Sequence, residues 1–196
     1  MGLYRPQATG KEHPVAEVVT LAGSLSARSR STAVLGYVRE QLAARDVAVR
    51  HIALQGLPAE DVLYARADAT PIRDAIRQIE LADALVVATP IYKAAYSGAL
   101  KAFLDLLPQR ILERKVVLPI ATGGSPHHLL AIDYALKPVL SALGAQHVLS
   151  GVYLLDAHIQ LGEDGRADFE PLSLARLDAS LDALAAALPL ARAALA

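Results

Sequence analysis

The run Val18-Val19-Thr20-Leu21-Ala22-Gly23, continued by Ser24-Leu25-Ser26-Ala27-Arg28-Ser29-Arg30-Ser31-Thr32, constrains this chain more than any other stretch. Its first part is short, apolar and β-branched, the pattern of a strand buried on both faces. Val34, Val38 and Leu42 then recur at helical spacing. The order is strand, polar turn, helix N-terminus. Such a helix end carries unpaired N–H groups and the positive end of the peptide dipole, and so suits a phosphate. Ser24, Ser26, Ser29, Ser31 and Thr32 add hydroxyls, and Arg28 and Arg30 add charge. Ser29 or Ser31 also fits a purely structural role as the helix cap. The loop has neither G-x-x-x-x-G-K-[ST] nor G-x-G-x-x-G, which leaves a single phosphate of a mononucleotide as its natural ligand.

The rest of the chain repeats the alternation. Residues 47–52 read as a second strand near a sheet edge, followed by a polar connection over 54–70. Thr70-Pro71 has the order of a cap and a first-turn proline, opening a helix that carries Ile72, Ile76 and Ile79 on one face. Residues 82–89 form the third strand, with a loop over 90–98 at its carboxyl end, and a helix with Leu100, Phe103, Leu104 and Leu107 follows. Residues 115–122 form the fourth strand, and Gly123-Gly124-Ser125-Pro126 turns into a long helix using Leu129, Ile132, Leu136, Val139 and Leu143. Residues 147–155 make the fifth strand. A turn at Glu163-Asp164-Gly165 precedes a final Ala/Leu-rich helix from about Ser173. Strands alternating with helices predict an α/β fold, a doubly wound five-stranded parallel sheet. The flavodoxin-like order 2-1-3-4-5 places a mononucleotide beyond the carboxyl ends of the strands. Residues 1–17 read as a flexible extension and 18–196 as one domain.

Composition removes several function classes. With 54% hydrophobic and 20% charged residues, the 196-residue chain is globular, and its net charge of −1 lacks the basic surface that nucleic acid requires. It has no cysteine, which excludes disulfides, zinc–thiolate sites and thiol nucleophiles and fits a cytoplasmic setting. No apolar run is long enough to span a bilayer. His127 and His128 are adjacent, so on a helix they diverge by about 100° and do not chelate one metal. No metal site is expected.

If the sheet order holds, the segments after the first, third and fourth strands emerge at one edge. The first offers the phosphate cradle. The second offers the backbone of Pro90, Ile91, Tyr92 and Lys93, with the rings of Tyr92 and Tyr96. The third offers Thr122, Gly123 and Gly124, whose missing side chains let a flat ring approach the main chain. A phosphate at one end and a planar heterocycle at the other describe FMN.

The residues that make these loops also carry a resemblance. Gly23-Ser24 through Ser31-Thr32, the run from Thr89 to Lys101, and Thr122-Gly123-Gly124 resemble the NADPH-dependent FMN reductase family. Leu63-Tyr64-Ala65-Arg66, Lys115 to Pro119 and Asp133 to Leu140 resemble its alkanesulfonate-pathway members. The family carries an arginine two residues after the serine matching Ser24, where this chain has Ser26. The resemblance implies reduction of FMN by NADPH or NADH. It further implies release of the reduced flavin to a separate flavin-dependent monooxygenase that desulfonates organosulfonates for sulfur acquisition. It implies a homo-oligomer, a dimer or tetramer. Hydride passes directly between stacked rings, so the protein mainly aligns them, and no acid or base residue is assigned. Two other readings are a flavodoxin-like electron carrier that keeps its FMN and a quinone or azo reductase with tightly bound FMN. The near-zero charge counts against the carrier, which steers its docking with charge.

Pro138 lies inside the fourth helical pattern and cannot donate to the carbonyl of Tyr134. A kink or a π-bulge near Tyr134 is therefore expected. The resemblance implies a tyrosine-centred π-helix near the subunit interface and flavin site, with Tyr134 setting oligomer packing and flavin release.

Overall fold

The computed structural model describes residues 16–26 and 28–193, the last five by backbone only. Most of the expected extension, residues 1–15, lies outside the described residues. The first strand, β1, runs Glu17–Ala22, and α1 spans Arg30–Ala43 with Val34, Leu35, Val38 and Leu42 buried. β2 (Ala48–Ala53) follows, then α2 (Ala59–Leu63) and α3 (Thr70–Leu81). β3 (Ala84–Tyr92) continues through a two-residue turn into β4 (Ala95–Tyr96), and α4 spans Gly98–Leu104. β5 (Val116–Gly123) leads through a π-helical segment, Ile132–Leu136, into α5 (Lys137–Ala142). β6 (His147–Val148), β7 (Val152–Leu155), β8 (Ile159–Leu161), β9 (Ala167–Phe169) and α6 (Pro171–Ala193) complete the chain.

The main sheet has the order β2-β1-β3-β5-β6, all parallel, with β7 also on β5 and β4 antiparallel on β3. The expected 2-1-3-4-5 order holds, with seven strands where five were expected. One face buries Val18, Val86 and Leu118 against α1 and α6, through Leu35, Val38 and Leu181. The other buries Leu21, Leu85 and Val117 against α3, α4 and α5, through Ile79, Phe103 and Leu140. Each such side chain taken from water contributes about 1.5–3 kcal/mol, so both faces of the central strands must be apolar.

The differences from expectation have identifiable causes. The first concerns residues 90–92, which are strand and not loop. Pro90 lies opposite Thr122 and Ile91 opposite Tyr96, while Lys93 and Ala94 take positive φ of 51° and 63°. A two-residue turn with both φ positive matches the strand twist, and glycine or asparagine normally advertises it. The fifth strand is broken because four steps along it, Val148 to Val152, face three along β5, Val117 to Ile120. The extra residue makes a bulge, with Gly151 at φ +86° packed on Pro119. Helix α3 is preceded by Ala69 with no side-chain cap, so Thr70 is already helical. The 54–70 connection contains a 3₁₀ turn (Leu54–Gly56) and α2. The acidic turn at 163–165 closes the β8–β9 hairpin.

A π-helical segment stands where Pro138 withholds its amide. Lys137 N–H reaches back five residues to the Ile132 carbonyl. The helix starts only at residue 131, so Leu129, expected on its buried stripe, lies in the turn before it and is 51% exposed. Ile132, Leu136 and Leu140 remain in the core.

Candidate flavin site

The connections after β1, β3 and β5 meet at the carboxyl edge, as their parallel register requires. In the first, Ser24 is buried and its hydroxyl accepts from Ser26 N–H at 3.1 Å. Ser29 is the helix cap, accepting from Thr32 N–H at 3.5 Å, and its hydroxyl pairs at 2.9 Å with that of buried Ser31. Of the five expected hydroxyls, Ser29 and Ser31 thus face each other under the loop, whereas Ser26 is exposed and Thr32 half-buried. No acidic residue occupies the first turn of α1 itself, although Glu163 and Asp164 of the β8–β9 turn line the cavity beside it. The two arginines separate: Arg30 Nε donates to the Ile159 carbonyl at 3.2 Å, while exposed Arg28 lines a cavity of about 350 Å³. That cavity lies between the start of α1 and the β8–β9 turn, with Thr32, Gly36, Leu161, Glu163 and Asp164 in its wall.

The second connection presents Tyr92, 59% exposed, and exposed Lys93 beside its strained turn. Ile91 is buried against Ala121, Ala131, Ile132 and Tyr153, which withdraws its side chain from a ligand. In the third, Thr122 is buried opposite Pro90. The structure gives Gly123 a reason other than ring access. A Cβ there would stand 2.3 Å from the Tyr153 hydroxyl. Gly124 is exposed and open, its nearest neighbour being Asp156 Oδ2 at 3.8 Å from a Cβ. Ser125 caps the 3₁₀ turn Pro126–His128, and its carbonyl accepts from Tyr153 Oη at 2.7 Å. Burial raises the Tyr153 phenol above its ordinary pKa, so it stays a donor at neutral pH. Among the described residues no group of three or more His, Cys, Asp or Glu could hold a metal.

Thr89, Ser97 and Tyr153 organise this edge without being singled out in the sequence. Ser97 was legible as a cap, a serine directly before an apolar helical run. Thr89 and Tyr153 act across the sheet and leave no local signal.

A doubly wound sheet of this order, with its polar loops gathered where the strand order reverses, defines the flavodoxin-like class. Comparison with known proteins narrows it. The family model described as NADPH-dependent FMN reductase matches residues 16–160. FMN reductase (NADPH) of Escherichia coli K12 is 54% identical over 165 residues, covering 84% of this chain and 86% of the relative. FMN reductase (NADPH) of Pseudomonas putida KT2440 is 51% identical over 146 residues, 74% of each. The apo crystal structure of the NADH:FMN oxidoreductase EMOB superposes with a TM-score of 0.78 at 36% identity, covering 87% of this chain and 88% of that one. The chain belongs to the NADPH-dependent FMN reductase family, oxidoreductases whose reactants are FMN and a reduced nicotinamide.

Proposed function

We propose that FMN binds across the three connections and leaves as reduced flavin for a separate flavin-dependent monooxygenase of sulfonate sulfur acquisition. The observation that carries the reading is the convergence of a helix whose first turn holds no acidic residue with the ends of β3 and β5, where exposed Tyr92 and Lys93 and open Gly124 lie. Amides at the start of α1, with Ser24, Ser26 and Thr32, hold the phosphate, and Arg28 adds charge. The backbones of Pro90 to Lys93 and of Thr122 to Gly124 carry the ring. When bound, FMN supplies the hydride acceptor. The chain aligns, and the phenols of Tyr96 and Tyr153, raised by burial, remain neutral beside it. No proton-transfer residue is required.

Exposed Leu129, Leu130 and Tyr134 lie in and just before the π segment and support assembly as a homo-oligomer, a dimer or tetramer. Tyr134, 79% exposed, then sets packing and flavin release. In Tyr134→Ala the oligomer weakens and flavin retention changes, read by sedimentation and by flavin co-elution. Among the described residues no helix is long and apolar enough to cross a membrane, which together with the absence of cysteine supports a cytoplasmic setting.

The deciding experiment titrates NADPH oxidation with free FMN. A saturable dependence, with electrons delivered to an added monooxygenase, is expected. Rapid quinone or azo-dye turnover on permanently bound flavin, without response to free FMN, would replace this reading by the acceptor-reductase one.

A further inference from the structure

Ser97 stands at the N-cap of α4, 5% exposed, with every polar group engaged. Its hydroxyl donates to the Gly23 carbonyl and accepts from Leu100 N–H at 3.1 Å. Its own N–H donates at 3.1 Å to the Thr89 hydroxyl, which in turn donates to the Pro90 carbonyl at 3.1 Å. Gly23 gives its N–H to the Ala88 carbonyl at 2.8 Å. Two buried hydroxyls thereby tie the β1 connection to the end of β3 and the start of α4.

This tie fixes a direction. A planar trans peptide points its N–H opposite to its C=O. The Gly23 carbonyl is drawn toward α4, which covers the sheet face of Leu21 and Leu85. The N–H of the same peptide belongs to Ser24 and so points toward the opposite face, which α1 covers. In the proposed binding mode it faces the phosphate. Reversing the peptide would aim a carbonyl oxygen there and repel an anion. Gly23 is also confined, since a Cβ would meet the Ala88 carbonyl and the Leu100 side chain at 3.1 Å.

We propose that Ser97 is a positioning residue for the phosphate cradle, holding the Gly23–Ser24 peptide so that the Ser24 amide donates to the flavin phosphate. The inference rests on the binding mode given under Proposed function. Its signature is selectivity between FMN and riboflavin, which share the ring and differ in the phosphate. A merely structural role weakens both flavins alike.

The test measures Kd of full-length protein for FMN and for riboflavin by fluorescence quenching, in the wild type, Ser97→Ala and Ser97→Thr. Ser97→Ala is expected to lower the preference for FMN over riboflavin about tenfold, the scale of one lost hydrogen bond to a charged group. Ser97→Thr, which keeps the hydroxyl, is expected to restore most of it. An unchanged preference in folded Ser97→Ala overturns the proposal. If Ser97→Ala does not fold, Thr89→Val removes the acceptor of the Ser97 amide and is read the same way: a reduced preference supports the proposal, an unchanged one overturns it. A wild type with no preference for FMN would refute the proposed binding mode itself, which separates that failure from this one.

Discussion

The two edges of the sheet bury polar groups in opposite ways. At the amino edge, Lys115, 8% exposed, donates its amine to the carbonyls of Glu80 at 2.8 Å and Ala82 at 2.7 Å. It closes the end of α3, where a cation suits the helix dipole. Beside it Glu17 and Asp83 exchange bonds, Glu17 N–H to Asp83 Oδ2 and Asp83 N–H to the Glu17 carbonyl, both at 2.8 Å. Charge there is directed inward at the protein's own backbone. At the carboxyl edge neutral hydroxyls do the tying, one of them capping the Thr32 amide at the start of α1. One edge is closed on itself for stability, and the other is where the flavin is proposed to lie.

That division can be broken experimentally, and the largest effect belongs to Gly123→Ala. Its Cβ would collide with the Tyr153 hydroxyl, costing about 3 kcal/mol as overpacking of a filled site. Adding Tyr153→Phe removes the oxygen and leaves the nearest ring carbon at 3.2 Å, so the double variant should recover much of the loss. Denaturant midpoints of the four proteins check this. Lys115→Met comes next, with a loss of about 2 kcal/mol from two charge-assisted bonds and no change in FMN affinity. Affinity falling together with stability would show that the edges are coupled.

The smallest effect comes from the β1–β2 pair at the outer side of the sheet. Buried Thr20 meets His51 Nδ1 at 2.9 Å, and burial, with the Arg39 charge second, lowers the His51 pKa from 6.5. The unfolded chain therefore takes up a proton that the folded one resists, and stability present above pH 6.5 is lost as pH falls through it. The thermal midpoint should drop by less than about 4 °C between pH 7.5 and 5.5 from this group, and His51→Leu should remove that component.

What the sequence made legible follows from locality. The runs over 18–22, 82–89 and 115–122 are apolar throughout because both sheet faces are covered, and that pattern needs no partner to be read. The β3–β4 hairpin escaped because Lys93 and Ala94 hold a turn without the usual glycine or asparagine. The break in the fifth strand escaped because it depends on Pro119 and Gly151, 32 positions apart, meeting across a ladder. Pro138 did forecast the irregular turn at Tyr134, since a missing amide acts on its own helix. In the site, the residue types of the three loops were readable but not their division of labour. Ser29 takes the cap role that the sequence also allowed it, while Arg30 anchors β8 and Gly123 leaves space for Tyr153.

The bulge in the fifth strand has a consequence for how molecules of this protein meet at high concentration. A sheet margin with a long, regular row of free amides and carbonyls invites another chain to add itself and start a fibre. Here that margin is two residues of β6 and four of β7, out of phase across Gly151. An incoming strand finds no run long enough to zip onto, so this side of the fold resists end-to-end growth without spending a single charged residue on the task.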